Sequence, residues 1–202
     1  MLKVYGSVQS RAAMVLVTLE SLGVPYEHVD IATRSDITQS DEYRLLNPTG
    51  KVPTLQDGEF ILFETQAILF YLVRKYGNGQ LWASSVEGEA DIWRWSLYIS
   101  NQLEVPALDL LLQTKYAGGN PDEIVIENAT QSMKRFLPLL ETQLTGKDYL
   151  TGTKTIADIH GATVIGWAKV AGFDFTPYPN VHAWIHHMAN SAESKKVAGL
   201  NG

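Results

Sequence analysis

Hydrophobic and polar positions follow two different periods in the first 78 residues of the chain. Strict alternation predicts strands, whereas apolar residues spaced three and four apart predict helices. Gly23 and Gly77 end two of the helical runs, and Asp57-Gly58 between two alternating runs is typical of a hairpin turn. The pattern predicts a strand at 2–5, a helix at 10–22, a strand at 26–31, a short helix capped by Ser40 or Asp41 and ending at Leu46, strands at 52–56 and 60–63, and a helix at 65–76. This order is βαβ followed by ββα.

Beyond residue 86 the strand signals disappear and only helical spacing remains. Thr155 and Asp158 have the spacing of a reciprocal helix cap, and the run after them is apolar nearly all round, so we expect that helix to be buried. The predicted helices are 87–116 with an interruption near Pro106, 120–144 beginning at Asn120-Pro121, the buried helix after Thr155, 179–190 and a short terminal turn. A polar segment with Gly and Ser separates the two patterns. We therefore predict one domain at 1–78, a linker at 79–86 and an all-helical domain at 87–202.

Composition and charge narrow the possible partners. The net charge is −6, and the sixteen Lys and Arg residues are scattered, so we expect no nucleic-acid partner. The amino terminus alternates like a strand and no apolar run approaches 20 residues, so we expect a soluble, cytoplasmic protein with no membrane partner. The chain has no cysteine. Sulfur chemistry here would have to use a thiol that belongs to the substrate.

Four short motifs in this order resemble the soluble glutathione transferases, and most closely their phi-like and related bacterial serine-type members. The motifs are Lys3-Val4-Tyr5-Gly6, Leu55-Gln56-Asp57-Gly58, Leu62-Phe63-Glu64-Thr65-Gln66-Ala67-Ile68 and Arg74-Lys75-Tyr76-Gly77. The resemblance implies an α/β thioredoxin-like amino-terminal domain with a mixed four-stranded sheet, followed by an all-α domain. It also implies a homodimer that joins the glutathione thiolate to small apolar electrophiles, with glutathione as co-substrate and no cofactor.

The resemblance assigns a glutathione site to the first domain. It makes the Val52-Pro53 bond cis and leaves the Val52 backbone to pair with the extended peptide. It assigns the γ-glutamyl carboxylate to Thr65 at a helix start, and the γ-glutamyl ammonium to Glu64. The glycyl end falls to Lys51 and Gln39, although phi-like members carry a His-Lys pair where this chain has Thr38 and Gln39.

Three hydroxyl groups near the end of the first strand are candidates to stabilise the thiolate. Ser10 has the spacing of the active serine in phi-like and theta-like members, in the form Ser-Arg-Ala. Ser7 fits only a delta-like pattern, and Tyr5 lies near the position of the phenol in tyrosine-type members. We predict Ser10 and keep Tyr5 and Ser7 as alternatives.

The resemblance places the electrophile pocket partly on the long helix of the second domain, with Trp95, Tyr98 and Asn101 as candidates. Aromatic residues at helical spacing are also typical of a core. His182 and His186 are four residues apart, as in some zinc sites, but no acidic partner accompanies them, so we expect no metal.

A second hypothesis is a non-catalytic member of the same family that serves protein contacts. Fold alone does not exclude it. The segment 92–106 resembles the corresponding part of elongation factor 1 gamma. Members that exchange disulfides are excluded, because they need a thiol of their own and this chain has none.

Overall fold

The computed structural model describes the backbone of residues 1–201 and the side chains of residues 1–200. It divides into two compact units, one formed by residues 1–82 together with the residues from 191 onward, and the other by residues 83–190. The return of the terminal residues to the first unit differs from the predicted helical domain of 87–202, whose last residue lies outside the described part.

The return of the terminal helix has a physical cause in its contacts. Lys196 Nζ donates to Glu20 Oε2 of the first helix at 2.6 Å, and Val197 is buried. A hydrophobic anchor with an ion pair beside it therefore holds the terminal helix on the first unit.

The first unit contains the predicted mixed four-stranded sheet, in the order β2-β1-β3-β4. β1 pairs with β2 in parallel and with β3 antiparallel, and β3 pairs with β4 antiparallel. The strands are β1 (Leu2–Tyr5), β2 (Tyr26–Val29), β3 (Thr54–Asp57) and β4 (Phe60–Phe63). The predicted βαβ-ββα order is thus confirmed, with β3 two residues later than its predicted start.

Helices cover the sheet and connect its strands. Gly23 ends the first helix in the left-handed conformation, as predicted. Ser35 and Ser40 cap two short consecutive helices by accepting from backbone amides three residues on. The helices of this unit are α1 (Ala12–Leu22), α2 (Asp36–Gln39), α3 (Asp41–Leu46), α4 (Thr65–Tyr76) and α10 (Ala192–Ala198), followed by a 3₁₀ turn (Gly199–Asn201).

The two faces of the sheet carry side chains in different surroundings. Val4 and Leu55 lie opposite each other in register and are fully buried with Leu16 of α1 and Ile68 of α4. Because successive strand residues point to opposite faces, Tyr5 lies on the other face. The hydrophobic core and the Tyr5 side chain are therefore on different sides of the sheet.

The second unit is helical throughout its regular structure. Its elements are α5 (Val86–Ile99), a π-helical turn (Ser100–Glu104), α6 (Val105–Leu111), a second π-helical turn (Leu112–Tyr116), α7 (Glu123–Gln143), α8 (Ile156–Val170) and α9 (Pro179–Ala189). The predicted interruption near Pro106 takes the form of the first π turn. Proline has no N–H to donate, and a wider turn before it relieves the clash with the preceding carbonyl.

One predicted helix start was wrong. α7 begins at Glu123, and its cap is Asp122, not Asn120. Asp122 Oδ1 accepts from the amides of Ile124 and Val125 at 2.9 and 3.2 Å. Both Asn and Asp are good caps, and tertiary contact decides between them: the Asp122 amide donates to Gln113 Oε1 at 2.8 Å.

The buried helix predicted after Thr155 is α8, which packs against α5, α6 and α9. Thr155 and Asp158 form the predicted reciprocal cap. Within the part of the chain that the structure describes, no helix has the length and apolar character to cross a membrane.

Candidate active site

The sheet brings three loops together at one end. Tyr5, the last residue of β1, lies opposite Thr54, the first residue of β3, and Thr54 lies opposite Phe63, the last residue of β4. The loop after β1, the loop before β3 and the start of α4 therefore leave the sheet side by side. These three loops carry most of the residues predicted to bind glutathione.

Gly6 shows how closely two of these loops approach. Its φ is +136°, and a Cβ added there would lie 2.8 Å from Ala12 Cβ and 2.9 Å from Val52 Cβ. The same position is 3.4 Å from Ser10 Oγ. Only glycine fits such an approach, and the Ser10 hydroxyl and the Val52 side chain therefore flank the same point.

The Ser10 hydroxyl lies just before the first turn of α1. It donates to the Ser7 carbonyl at 2.7 Å and accepts from the Ala12 amide at 3.1 Å. The side chain is half-buried. Its proton can be redirected by rotation about the C–O bond, so the group can donate to an incoming anion while the amide contact holds the oxygen in place.

The other two candidate hydroxyls have different surroundings. The Tyr5 hydroxyl donates to Gln56 Oε1 at 2.7 Å, and its ring packs edge-on against Tyr43 of α3 with centroids 6.2 Å apart. This places the phenol on the face of the sheet away from the buried Val4. Ser7 is 8% exposed, and its amide donates to the Ile31 carbonyl at 2.9 Å.

The Val52-Pro53 bond is cis, and the loop before it is held by two side chains that no sequence motif indicated. Asn47 Nδ2 and the Tyr43 hydroxyl donate to the Lys51 carbonyl at 2.8 and 2.9 Å. Both also contact Thr54 Oγ1, at 3.1 and 2.8 Å. Asn47 and Tyr43 thus support the loop on both sides of the bond. The Asn-Pro-Thr-Gly sequence indicates that Asn47 is a turn residue. It does not indicate that the Asn47 side chain holds the loop at Val52.

The backbone of Val52 is available for a ligand. Among residues 1–201, neither its amide nor its carbonyl forms a hydrogen bond. Unpaired groups beside a sheet are what an added strand requires. An extended peptide can therefore pair with Val52.

The start of α4 offers a site for a carboxylate. Glu64 precedes the helix with φ +73° and ψ +112°, and its side chain does not cap the first amides. A non-glycine residue in this region is strained, and such strain clusters at ligand sites. Thr65 is buried and Glu64 is exposed, and among the described residues neither side chain has a hydrogen-bond partner. The amide end of α4, the Thr65 hydroxyl and the Glu64 carboxylate are free to meet a zwitterion.

Gln39 and Lys51 are the two residues predicted for the glycyl end of glutathione, and Gln39 contacts the loop before Val52. Gln39 Nε2 donates to the Gly50 carbonyl at 3.3 Å and to Thr38 Oγ1 at 3.2 Å. Its Oε1 accepts from Arg44 Nη2 at 2.7 Å. Thr38 is fully buried, and Lys51 is exposed. Gln39 therefore contacts the residue that precedes Lys51, and Arg44 lies beside Gln39.

The three predicted pocket residues of the second unit lie in different environments. The Trp95 ring is 4% exposed and packs edge-on against Tyr98, with centroids 5.9 Å apart. The Tyr98 hydroxyl donates to the Phe136 carbonyl at 2.8 Å, and burial raises the pKa of this phenol. Asn101 is exposed on the first π turn. The burial of Trp95 argues against its direct contact with an electrophile, since its ring has little surface to offer.

The histidines of α9 have partners other than a metal. His182 stacks on Phe175, His186 lies 3.2 Å from Asn190 Nδ2, and His187 lies 3.1 Å from the Tyr149 hydroxyl. Over residues 1–201, no group of three or more His, Cys, Asp or Glu side chains could hold a metal ion.

A βαβ-ββα unit with a cis-proline loop is typical of the thioredoxin-like fold, and here it is joined in sequence to an all-helical unit. Comparison with known families specifies the class further. Residues 1–74 match the model of the glutathione S-transferase amino-terminal domain, and residues 93–192 match that of the carboxy-terminal domain.

Individual relatives cover nearly the whole chain. Glutathione S-transferase 1 of Zea mays is 32% identical, over 98% of this chain and 96% of its own. Glutathione S-transferase GstB of Escherichia coli K12 is 28% identical, over 91% and 90%. The structure of a glutathione S-transferase-I bound with lactoylglutathione superposes with a TM-score of 0.88 at 30% identity, over 98% of this chain and 99% of that one.

The chain belongs to the glutathione S-transferase family, and the predicted resemblance to phi-like members is confirmed. It is an enzyme of that family, a glutathione transferase.

Proposed function

We propose that this transferase activates glutathione with the Ser10 hydroxyl and joins its sulfur to small apolar electrophiles. The observation that carries the proposal is the position of Ser10 Oγ, which flanks Gly6 together with Val52 at the end of β1. The Tyr5 hydroxyl is occupied by Gln56 on the other face of the sheet. Of the three candidate hydroxyls, Ser10 is the one whose surroundings favour a thiolate beside the Val52 backbone.

Pairing with Val52 also fixes which protein groups the two ends of the tripeptide meet. The cysteinyl residue pairs with the Val52 amide and carbonyl, which are free for such pairing. The γ-glutamyl carboxylate meets the amide end of α4 and the Thr65 hydroxyl, and the γ-glutamyl ammonium meets Glu64. The glycyl end lies toward Lys51 and Gln39.

One hydroxyl can supply most of the free energy needed to lower the thiol pKa. A thiol with a pKa near 8.5 must reach about 6.5 to be largely ionised at neutral pH, a shift worth roughly 2.7 kcal/mol. A hydrogen bond to a charged group contributes about 1.5–3 kcal/mol, and a helix amino terminus about 0.3–1 kcal/mol. Ser10 lies just before α1 and can supply both, once its proton turns from the Ser7 carbonyl to the sulfur.

The reaction is a nucleophilic attack by sulfur. The thiolate lone pair forms a C–S bond at the electrophilic carbon, and the leaving group departs with its own electron pair. No cofactor is required for this step, and glutathione is the co-substrate. Tyr98 and Asn101 remain our candidates for contact with the electrophile, and we place the reaction in the cytoplasm.

We also propose that the enzyme is a homodimer and that a second copy covers the apolar face of β4 and α4. A groove of about 490 Å³ on this face is lined by Leu62, Ala67, Phe70, Tyr71, Arg74 and Lys75. Phe60 of β4, which packs on Tyr71, and Phe70 of α4, which lines the groove, are 47% and 37% exposed. Large exposed aromatic side chains that lie close together on one surface are typical of an interface between subunits.

The test of Ser10 is a titration of the ultraviolet thiolate band of bound glutathione in the wild type and in Ser10→Ala, Tyr5→Phe and Ser7→Ala. We expect a depressed thiol pKa in the wild type, Tyr5→Phe and Ser7→Ala, and a rise of one to two units in Ser10→Ala alone. A wild-type thiol pKa near its free value would favour the non-catalytic hypothesis. Equal, depressed values in the wild type and Ser10→Ala would move the role to another hydroxyl.

A further inference from the structure

The turn that leaves α4 carries an exposed Asn-Gly pair. Gly77 ends the helix, and the Gln80 amide donates to the Gly77 carbonyl at 2.8 Å. Between them, Asn78 and Gly79 have φ values of +47° and +85°. A positive φ at both central residues is typical of a type I′ turn, and Asn-Gly is a pair that this turn prefers. The pair therefore lies in a tight turn that is closed by the bond from Gln80 to Gly77.

Both residues of the pair are accessible to water and to each other. Asn78 and Gly79 are exposed. Among the described residues, neither the Asn78 side chain nor the Gly79 amide forms a hydrogen bond. A Cβ added at Gly79 would meet nothing within 4 Å. The Gly79 nitrogen and the side-chain Cγ of Asn78 therefore have room to approach each other.

The residues on either side of the turn are held in place, so the turn can open by itself. The Gly77 amide donates to the Val73 carbonyl at 3.1 Å at the end of α4. On the other side, Leu81 and Trp82 are buried, and the centroid of the Trp82 ring lies 5.4 Å from that of Phe70. Exposed turns with few backbone hydrogen bonds open at low free energy. We therefore expect the Asn-Gly pair to leave the turn geometry while α4 and Trp82 stay in place.

An asparagine followed by an unhindered amide can form a cyclic imide. The Gly79 nitrogen attacks Cγ of Asn78, a new C–N bond forms, and the Cγ–Nδ2 bond breaks with release of ammonia, which takes up the proton of the Gly79 amide. Glycine has no Cβ to obstruct this attack. Water then opens the imide at the side-chain carbonyl to give aspartate, or at the backbone carbonyl to give isoaspartate, in which the main chain continues through the side chain. The net change is hydrolysis of an amide to a carboxylate and ammonium.

We propose that Asn78 is a site of spontaneous deamidation in this protein. The proposal does not depend on the glutathione site, and neither Asn78 nor Gly79 lines the groove proposed for the second copy. Each product carries one more negative charge than the −6 of the sequence, and this charge lies just beyond the end of α4. Aspartate followed by glycine also suits a type I′ turn, whereas isoaspartate adds an atom to the backbone of the turn. The aged protein therefore contains two products of equal charge and different backbone.

The test is incubation of the purified protein in heavy-oxygen water at neutral and at mildly alkaline pH, followed by mass spectrometry of its peptides. A synthetic peptide of residues 74–82 gives the rate in the absence of the folded turn. We expect labelled aspartate and isoaspartate at position 78, at a rate within about tenfold of the peptide, since one backbone hydrogen bond closes the turn. The rate should rise with pH, because the deprotonated amide is the nucleophile. The peptide that contains Asn201-Gly202, the other Asn-Gly pair of the sequence, is analysed separately.

Two controls separate the effect of the turn from general ageing of the protein. Asn78→Gln should gain no label at this position, because the longer side chain closes a ring less readily. Asn128 is also exposed but lies within α7, where the helix holds the next amide, and it should stay intact. Conversion of the peptide while Asn78 of the protein stays intact would overturn the proposal, since the turn would then protect the pair. Conversion of Asn128 as fast as Asn78 would also overturn it, because the exposed turn would then have no special role.

Discussion

Asn47 holds the carbonyl of Lys51 at 2.8 Å through its side-chain Nδ2, while its Oδ1 accepts from the amide and the hydroxyl of Thr49. The side chain is 1% exposed. This single amide therefore braces the loop that presents Val52 to the ligand.

The two halves of the Asn47 amide can be separated by mutation. Asn47→Asp keeps the acceptor for Thr49 but loses the donor to Lys51 and Thr54, and it brings a buried charge against a carbonyl. We expect a loss of about 2–4 kcal/mol in the free energy of unfolding and a raised KM for glutathione. Urea unfolding and steady-state kinetics measure the two effects. Wild-type stability in Asn47→Asp would contradict the bracing role.

Gly6→Ala tests the close approach of the Ser10 and Val52 loops. The new Cβ would lie within 3 Å of Ala12 and Val52, so one of the loops must move. We expect loss of glutathione binding and about 1–3 kcal/mol of stability. Gly58→Ala is the matched control, because Gly58 also has positive φ but nothing lies within 4 Å of its Cβ position. This control should cost about 1 kcal/mol and leave binding intact. Equal binding by both variants would contradict the close approach.

Asp57→Asn tests a cluster at the far end of the sheet. Asp57 Oδ2 accepts from Lys75 Nζ, the Tyr76 hydroxyl and the Tyr71 hydroxyl. Burial alone would raise the pKa of Asp57, but these donors outweigh it and lower the pKa to about 2. Because the folded pKa lies below the unfolded value near 3.9, the stabilisation is complete above about pH 5 and is lost as the pH falls toward 2.

We expect Asp57→Asn to cost about 1–2 kcal/mol at pH 7, less than a fully buried pair would give because Lys75 is half exposed. The difference from the wild type should shrink steadily between pH 5 and pH 3 in urea unfolding. Glu59→Gln removes an exposed carboxylate from the same hairpin and should change little. A difference that stays constant with pH would refute the charge-based role.

Asp158→Asn tests the cap of α8. Its carboxylate accepts from the amides of Leu150 and Thr155, the Thr155 hydroxyl and the Trp184 indole, and every partner is a donor. An amide would turn an NH₂ group toward donors, so we expect a loss of about 3 kcal/mol in unfolding free energy. Burial raises the pKa of Asp158 in spite of these four donors. Thr155→Ser keeps the hydroxyl and should cost less than 1 kcal/mol. Unfolding would be followed by calorimetry. A Thr155→Ser variant that is less stable than Asp158→Asn would contradict the prediction.

Phe70→Glu tests the proposed dimer face. A charge at this exposed ring would be desolvated by a second copy, so we expect dissociation to monomers in analytical ultracentrifugation. Ile124→Glu is a control on α7 of the second unit, where the side chain is 73% exposed, and it should leave the assembly unchanged. A dimeric Phe70→Glu would move the interface elsewhere.

The elements of the first unit were predictable because their signals are local. Alternation, helical spacing, Gly23 and the Asp57-Gly58 turn each act over a few residues, and the strands and helices follow them. The start of α7 was not predictable, because Asn120 and Asp122 have similar capping ability and a distant contact from Gln113 accompanies the choice.

The sequence by itself determined the βαβ-ββα order, the helical second half, the absence of a thiol and the motifs that resemble glutathione transferases, since all of these are properties of short segments. Only the tertiary structure decided which side chains meet. Sheet register placed Tyr5 opposite Thr54, the close approach at Gly6 placed Ser10 near Val52, and Arg44 lies beside Gln39. These contacts join residues from separate elements, and their distances depend on how the strands and helices pack, which no local pattern specifies.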